Sequence, residues 1–545
     1  MKRLFYGFVI SILLIIIYSL SQSFSSNKMP VINLSNVDKV TEVDTRYLVL
    51  PDSSIFFSAN KDSVYQLFKY KNKSIQQLSN TNNNIFSPVL TENTIVGLSD
   101  FNGDENYRIV PSLLNKYLNG LFVKKIFSFN NGNYIILQTK NSSQIVFINL
   151  SKNKKIVLVE FKNKLNGVSY SKKNNCFIIS YDDVLIYYNI GNNKTHNLAE
   201  NIKGKKLNPF IYNEQLFFIN NFNSEYYKIF SLNINDRNLK PKIFYETQHD
   251  VKLPKYDGKY LYFVEVINNE YLLKRKKTET NFVETVTDKG VIYNYYFSNS
   301  KNLIIAYSDF YTPKCIGILN PVNKKIKNIS GSSFDISANY KYYPSTKNLS
   351  PAYELYPTLK KNTKGILLFF HPGLHSDFSP RWDTILMMLV ENGYIIFAPN
   401  YPMSFGYGKK YSLSNFDDAV NDMLGWKKYL NNKYKNLPIY FLSASSGNIL
   451  MENVLEKSDE DVNASVSLFG LSGVKPNIKT LYILGKNDPI VNFNYRYNQL
   501  KEYKTSENKL LITIYNNEGH WFRRKENIKD AVVKILDYFA KSKSN

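Results

Sequence analysis

The sequence predicts two domains of different class: an N-terminal all-β domain built from about seven similar units, and a C-terminal α/β domain. Three observations carry this. Short runs rich in Phe, Ile and Tyr recur with a period near forty residues between residues 40 and 330. After Gly365 the rhythm changes to short apolar runs alternating with helical stretches. Within that second region Ser445, Asp488 and His520 each fall just past the end of an expected strand. A chain of 545 residues, 43% hydrophobic and 15% aromatic, has enough apolar surface to fill both cores.

Lys2 and Arg3 precede an unbroken apolar run, Phe8 to Leu20 (FVISILLIIIYSL), and charge returns only at Lys28. Ser21 and Ser23 offer a small-residue cleavage site, as in a removable signal peptide. Extended back to Leu4, the run has 17 residues, at the lower edge of a membrane-spanning helix. Residues 1–27 are therefore expected to be a signal peptide or an N-terminal membrane anchor. Either way the chain is expected to be exported, to the periplasm or cell envelope, with the anchor holding it at the inner membrane. No cysteine follows the run, which excludes a lipoprotein anchor. With only Cys176 and Cys315, at most one disulfide can form, far short of a disulfide framework.

The 69 Lys and Arg against 45 Asp and Glu give a formal charge of +24. The basic residues are scattered, with no run of five and no aromatic–basic motif of a nucleic-acid binder. The charge reads as a solvated lysine-rich surface with at most weak affinity for acidic envelope components, and no nucleic-acid partner is expected.

Each unit of the first domain pairs two apolar runs across a polar turn, as in IFFSANKDSVYQLFKY from Ile55, CFIISYDDVLIYYNI from Cys176 and LYFVEVINNEYLLKR from Leu261. Equivalent apolar positions are Phe56, Ile95, Ile135, Phe177, Phe217, Tyr262 and Ile304, separated by 39, 40, 42, 40, 45 and 42 residues. A four-stranded propeller blade takes about this length and needs neighbours to bury its faces. Residues 40–335 are thus expected to form a β-propeller of about seven blades; a β-sandwich or two smaller β-domains would not give so even a spacing. His196 and His249 stand alone there and suggest no chemistry.

In the second domain, expected at 345–545, strands are predicted at Ile366–Phe370, Tyr394–Ala398, Ile439–Leu442, Ser465–Phe469, Leu481–Leu484 and Leu510–Ile514. Helices are predicted at Trp382–Glu391, Phe416–Leu430, Asn448–Glu456, Asn494–Tyr503 and Asn527–Ala540. Parallel strands joined by helices bring their C-terminal ends to one edge, where loops converge.

At that edge IYFLSASSGNIL (Ile439 to Leu450) is a strand running through Ser443-Ala444-Ser445-Ser446-Gly447 into a helix. A turn this sharp demands small residues two before and two after a nucleophile, which Ser443 and Gly447 supply. GKNDP puts Asp488 after one later strand and NEGH puts His520 after the next. The order Ser, Asp, His is that of α/β-hydrolases. Ser445 is the candidate nucleophile, His520 the base that takes and returns its proton, and Asp488 the carboxylate that orients the imidazole. Ser446 N–H is one candidate oxyanion donor. The other is Gly373 in His371-Pro372-Gly373, because Pro372 has no N–H. His371 and His375 are read as loop-packing residues, and Asp377, Asp383, Asp417 and Asp418 as exposed or capping carboxylates.

FFHPGLHSDFSPRWDTILMMLVENGYIIFAPNYPMSFGYGKKY (Phe369 to Tyr411), the elbow, GKNDPIV and NEGHWF together resemble the prolyl oligopeptidase family of serine peptidases, particularly its acylaminoacyl-peptidase-like branch. The resemblance covers roughly residues 340–545, and SDFNGDENYRIV from Ser99 looks like a turn of the family's propeller. It implies an α/β-hydrolase domain behind a propeller, hydrolysis of short peptides or small esters without metal or organic cofactor, and a propeller that restricts entry to short, unfolded peptides. It matches Ser445, Asp488 and His520 to the triad and Gly373 and Ser446 to the oxyanion donors. The chain departs from the family pattern at Pro372, at Pro402, where an Arg normally follows the Tyr, and at Asn448, where a second Gly is usual. Only about forty residues separate Ser445 from Asp488, about half the family's usual span, which implies a more open pocket. No paired-glutamate motif for holding a free amino terminus occurs in the propeller, so dipeptide release is not expected.

The reading is a serine peptidase acting on short peptides through an acyl-enzyme. The same residues would also serve an esterase or acyl hydrolase. A third alternative is an inactive hydrolase domain whose propeller is a binding module. Substrate preference and oligomeric state are not legible in the sequence.

Overall fold

A computed structural model describes residues 34–542, apart from 92–93, 101–102, 105–106, 111–124, 130–133, 139–142, 150–153, 163, 237–239, 299–300, 332–337, 360–362, 459–460, 472–473, 476 and 504–509. The expected leader at 1–27 lies outside the described residues. No helix among them is long and apolar enough to cross a membrane.

Residues 48–330 form seven consecutive antiparallel units, at 48–77, 85–110, 125–161, 165–198, 207–245, 250–285 and 291–330. Six have four described strands and the second has three; a parallel pairing of Tyr271 with Val291 joins the last two units into one sheet. The seven periodic positions, Phe56 through Ile304, all fall on the second strand of their unit. Polar turns make the hairpins: Asn268 and Asn269 both take positive φ between strands Tyr260–Ile267 and Glu270–Lys277, where Asn tolerates the left-handed backbone. The second strands are apolar on both faces because neighbouring units pack on either side. Cys176 and Ile178 meet Leu216 and Phe218 of the next unit, and Phe217 and Ile219 meet Val251 and Phe263 of the one after. The first unit also packs on the last, through Phe57 and Phe68 against Ile304, Ala306 and Ile316, with Tyr47 Oη donating to Ile304 O at 2.7 Å. Both cysteines are buried free thiols.

In the C-terminal sheet, numbered from its own first strand, the strands are β1 (Ala338–Tyr343), β2 (Ala352–Pro357), β3 (Gly365–Phe370), β4 (Tyr394–Pro399), β5 (Ile439–Ala444), β6 (Ala464–Leu468), β7 (Thr480–Gly485) and β8 (Leu510–Tyr515). Their order is β1-β2-β4-β3-β5-β6-β7-β8, parallel from β4 to β8, with β2 antiparallel to both neighbours. β1 and β2 lie outside the predicted strands, and β1 begins ahead of the expected boundary at 345. The helices are α1 (Thr384–Glu391), α2 (Phe416–Lys433), α3 (Gly447–Glu456), α4 (Phe493–Tyr503) and α5 (Lys525–Ser542). The helix predicted from Trp382 starts later because Asp383 takes the N-cap, its side chain accepting from Leu386 N.

Strand alternation divides the core in two. Leu367 and Phe369 face α1 and α5 (Leu386, Val390, Ala531, Ile535), whereas Ile366, Leu368 and Phe370 face α2 and α3 (Val420, Met423, Leu450, Val454). Val37 and Val40, from the segment before the first unit, join the α1–α5 core, so this segment is tied to the C-terminal domain.

Candidate active site

The site assembles at the C-terminal edge of β5, β7 and β8. Ser445 follows β5 with φ of 51°, a left-handed conformation that costs a non-glycine residue about 1–3 kcal/mol. Surrounding bonds hold it there. Ser445 N donates to Leu468 O at 3.0 Å, and its carbonyl accepts from Asn448 N at 3.1 Å and Leu471 N at 3.2 Å. A Cβ at Gly447 would sit 2.3 Å from Phe370 O and 2.6 Å from His371 O, so the end of β3 admits only glycine there.

The three candidate catalytic residues form one hydrogen-bonded line. His520 Nε2 lies 2.9 Å from Ser445 Oγ, and Nδ1 lies 2.8 Å from Asp488 Oδ2. The imidazole and carboxylate are nearly inaccessible, at 2% and 4% exposure, so water competes little for this bond. Asp488 Oδ1 is fixed by Ile490 N and Val491 N, each at 2.8 Å. The Asp and His loops are pressed together: a Cβ at Gly485 would come 2.1 Å from Gly519 O. Phe469 and Trp521 pack on the His520 ring, each with ring centroids 5.1 Å away.

The all-β domain braces the His520 loop. Asp100, with a fully buried side chain, pairs with Arg523, whose guanidinium lies 4.8 Å from the Phe86 ring centre. Arg524 Nη2 donates to Asn82 O at 3.3 Å. The turn from Ser99, singled out in the sequence, thus lies against the His520 loop through its described residues, with Gly103 touching Gly519.

Of the two candidate oxyanion donors, Gly373 N donates to Ser446 Oγ at 2.9 Å. His371 is fully buried and stacks on Tyr401, with ring centroids 4.2 Å apart. Its Nε2 is 2.9 Å from Ser404 Oγ, and burial pushes its pKa down to about 4, so it is a neutral packing residue. His375 Nδ1 lies 3.2 Å from Ser412 O, and Asp377 accepts from Tyr271 Oη at 3.1 Å. Asp417 is exposed and lies 3.4 Å from Lys457 Nζ, and Asp418 N is capped by Asn415.

A buried network outside the residues read from the sequence lies behind the elbow. Ser443 Oγ donates to Asn448 Oδ1 at 3.1 Å, and Asn448 Nδ2 donates to Glu452 Oε1 at 2.7 Å. Glu452 Oε1 also accepts from Tyr482 Oη at 2.8 Å and Arg496 Nη2 at 3.2 Å. The one visible signal was Asn448 itself, standing where the resembling family has glycine. The connection from β6 to β7 is only residues 469–479. Beside the site, a cavity of about 190 Å³ lies between the domains, lined by Pro372, Ala444, Phe469 and Trp521 on one side and Asn60 and Lys314 on the other. Among the described residues no group of three or more His, Cys, Asp or Glu is placed to hold a metal ion.

No protein-family model and no curated protein sequence matches the chain. Solved structures do. A puromycin-hydrolysing peptidase of Mycobacterium tuberculosis aligns over 94% of this chain and 96% of its own, with a TM-score of 0.75 at 12% identity. A structure from a study of two prolyl endopeptidases aligns over 94% and 91%, with a TM-score of 0.77 at 12% identity. Oligopeptidase B from Leishmania major aligns over 93% and 89%, with a TM-score of 0.71 at 11% identity. The chain has the prolyl oligopeptidase fold. Because the alignments span nearly the whole chain, the likeness to prolyl oligopeptidases takes in both the seven units and the α/β domain. At this identity it is a likeness of fold, and the roles of individual residues rest on the geometry above.

Proposed function

We propose that the chain is a serine peptidase of the prolyl oligopeptidase family that hydrolyses short peptides through an acyl-enzyme. The observation that carries this is the continuous line from Ser445 Oγ through His520 to Asp488, at 2.9 and 2.8 Å. Ser445 Oγ attacks the scissile carbonyl while His520 Nε2 takes its proton. Asp488 keeps the Nδ1 proton in place and stabilises the imidazolium, and His520 then protonates the leaving amine. Water repeats the sequence on the acyl-enzyme, with His520 again as base. The Ser446 N–H, at the start of α3, faces charge of the sign that a helix N-terminus favours.

In this reading the seven units are the blades of a seven-bladed β-propeller, closed by the packing of the first on the last, and the propeller limits access to short peptides. The leader at 1–27 would deliver the chain to the periplasm or cell envelope. The similarity to the acylaminoacyl-peptidase-like branch rests on the Phe369–Tyr411 stretch. An esterase is the second reading, favoured by the short 469–479 connection, which leaves less of the chain to shape a peptide pocket.

A panel of short peptides with free or blocked amino termini, run beside p-nitrophenyl esters and with a Ser445→Ala control, separates the two. Ser445-dependent cleavage of peptide bonds supports the peptidase. Turnover of esters alone would sink it in favour of the esterase.

A further inference from the structure

The Gly373 N–H, one of two expected oxyanion donors, is already engaged: it donates to Ser446 Oγ at 2.9 Å. An N–H carries one proton, and a donor aimed at one acceptor is poorly aligned for a second. The Ser446 hydroxyl accepts this bond and makes no capping bond to α3. The side chain next to the candidate nucleophile is a half-buried hydroxyl, anchored by its acceptor side and with no acceptor for its own proton among the described residues.

We propose that the Ser446 side-chain hydroxyl is itself an oxyanion donor, oriented and polarised by Gly373 N–H, so that Ser446 supplies two donors, N–H and Oγ–H, from one residue. The proposal rests on the serine-hydrolase reading of Ser445. As Ser445 Oγ bonds to the carbonyl carbon, its proton passes to His520 Nε2 and the carbonyl π pair moves onto oxygen. That oxygen accepts hydrogen bonds from Ser446 N–H and Oγ–H, and no proton is transferred to it. On collapse the pair returns, the C–N bond breaks, and His520 gives its proton to the leaving amine. O–H···O⁻ bonds are short and strong, and a donor that is itself receiving a hydrogen bond is strengthened further. On this proposal Gly373 N–H does not meet the oxyanion directly: it acts through Ser446 and is a positioning group.

The test compares the purified chain with its Ser446→Ala and Ser446→Thr variants, reading kcat and KM on p-nitrophenyl acetate and the second-order rate of Ser445 phosphonylation by a fluorophosphonate, whose phosphoryl oxygen occupies the oxyanion position. Ser446→Ala is expected to lower kcat and the phosphonylation rate by about 10²–10³-fold with KM nearly unchanged. Ser446→Thr, which keeps a hydroxyl, is expected to recover most of the loss. An unchanged or higher kcat in Ser446→Ala overturns the proposal, because the freed Gly373 N–H would then suffice. Equal loss in the alanine and threonine variants overturns it too, because the effect would be steric. If the unsubstituted chain shows no reactive serine, the hydrolase reading itself falls.

Discussion

The Glu452–Arg496 pair offers a quantitative test of how the Ser445 elbow is supported from behind. Their side chains are 0% and 2% exposed, and the Glu452 carboxylate also receives Tyr482 Oη and Asn448 Nδ2. Glu452→Ala strands a buried guanidinium, which costs about 3–5 kcal/mol, and leaves the buried Tyr482 hydroxyl without its acceptor, about 1–3 kcal/mol more. The two add to about 4–8 kcal/mol, and partial overlap lowers the expected loss to about 3 kcal/mol or more. Glu452→Leu combined with Arg496→Leu removes both charges and should be less destabilised than Glu452→Ala by about 2 kcal/mol or more. The three tryptophans, Trp382, Trp426 and Trp521, all lie in the α/β domain, so their fluorescence during urea unfolding follows this domain and, through Trp382 and Trp521, its contact with the first domain. A single-variant loss below about 1 kcal/mol, or a double variant less stable than the single, would refute the view of this pair as a mutually dependent buried unit.

Other expectations follow from the same geometry. Gly447→Ala must push the elbow away from Phe370 O and His371 O, so about 1–3 kcal/mol of overpacking and loss of serine reactivity are expected; near-normal activity would contradict that packing. Asp488→Asn keeps the Ile490 and Val491 N–H bonds yet offers Nδ1 the wrong tautomer, so kcat should fall by about 10⁴ at unchanged melting temperature. Burial raises Asp422 from 3.8 to about 6, against the Ser350 bonds that favour its charged form. An acid raised in the folded state contributes stability below its unfolded pKa and loses it as pH rises through the folded value. Between pH 4 and 6 the chain should thus lose on the order of 3 kcal/mol relative to Asp422→Asn, measured by urea unfolding at each pH; parallel pH profiles would contradict this.

The Ser445–His520–Asp488 line was legible because each member needs only local signals: a strand, a tight turn and one polar residue at its end. The period of forty was legible because each unit repeats the same hairpin in sequence. β1 and β2 were not, since Ala338–Tyr343 and Ala352–Pro357 are tyrosine-rich with interspersed charge and resemble the runs of the preceding repeat. Glu354 on β2 is a charged residue that is nevertheless buried, bonded by Lys433 at 2.9 Å. Contacts distant in sequence were equally invisible. Nothing local marks Val37 and Val40 as core of the C-terminal domain, Asp100 as the partner of Arg523, or Glu452 as that of Arg496. The bond from Gly373 to Ser446 likewise spans two loops whose meeting only the fold decides.

The central claim is that Ser445 is an activated nucleophile. Its most direct test is to treat the purified chain with a fluorophosphonate and locate the adduct by peptide mass spectrometry, with Ser445→Ala and His520→Ala alongside. One adduct is expected, on Ser445, absent from the first variant and strongly slowed in the second. A folded chain that forms no adduct, or forms it on another serine, would contradict it.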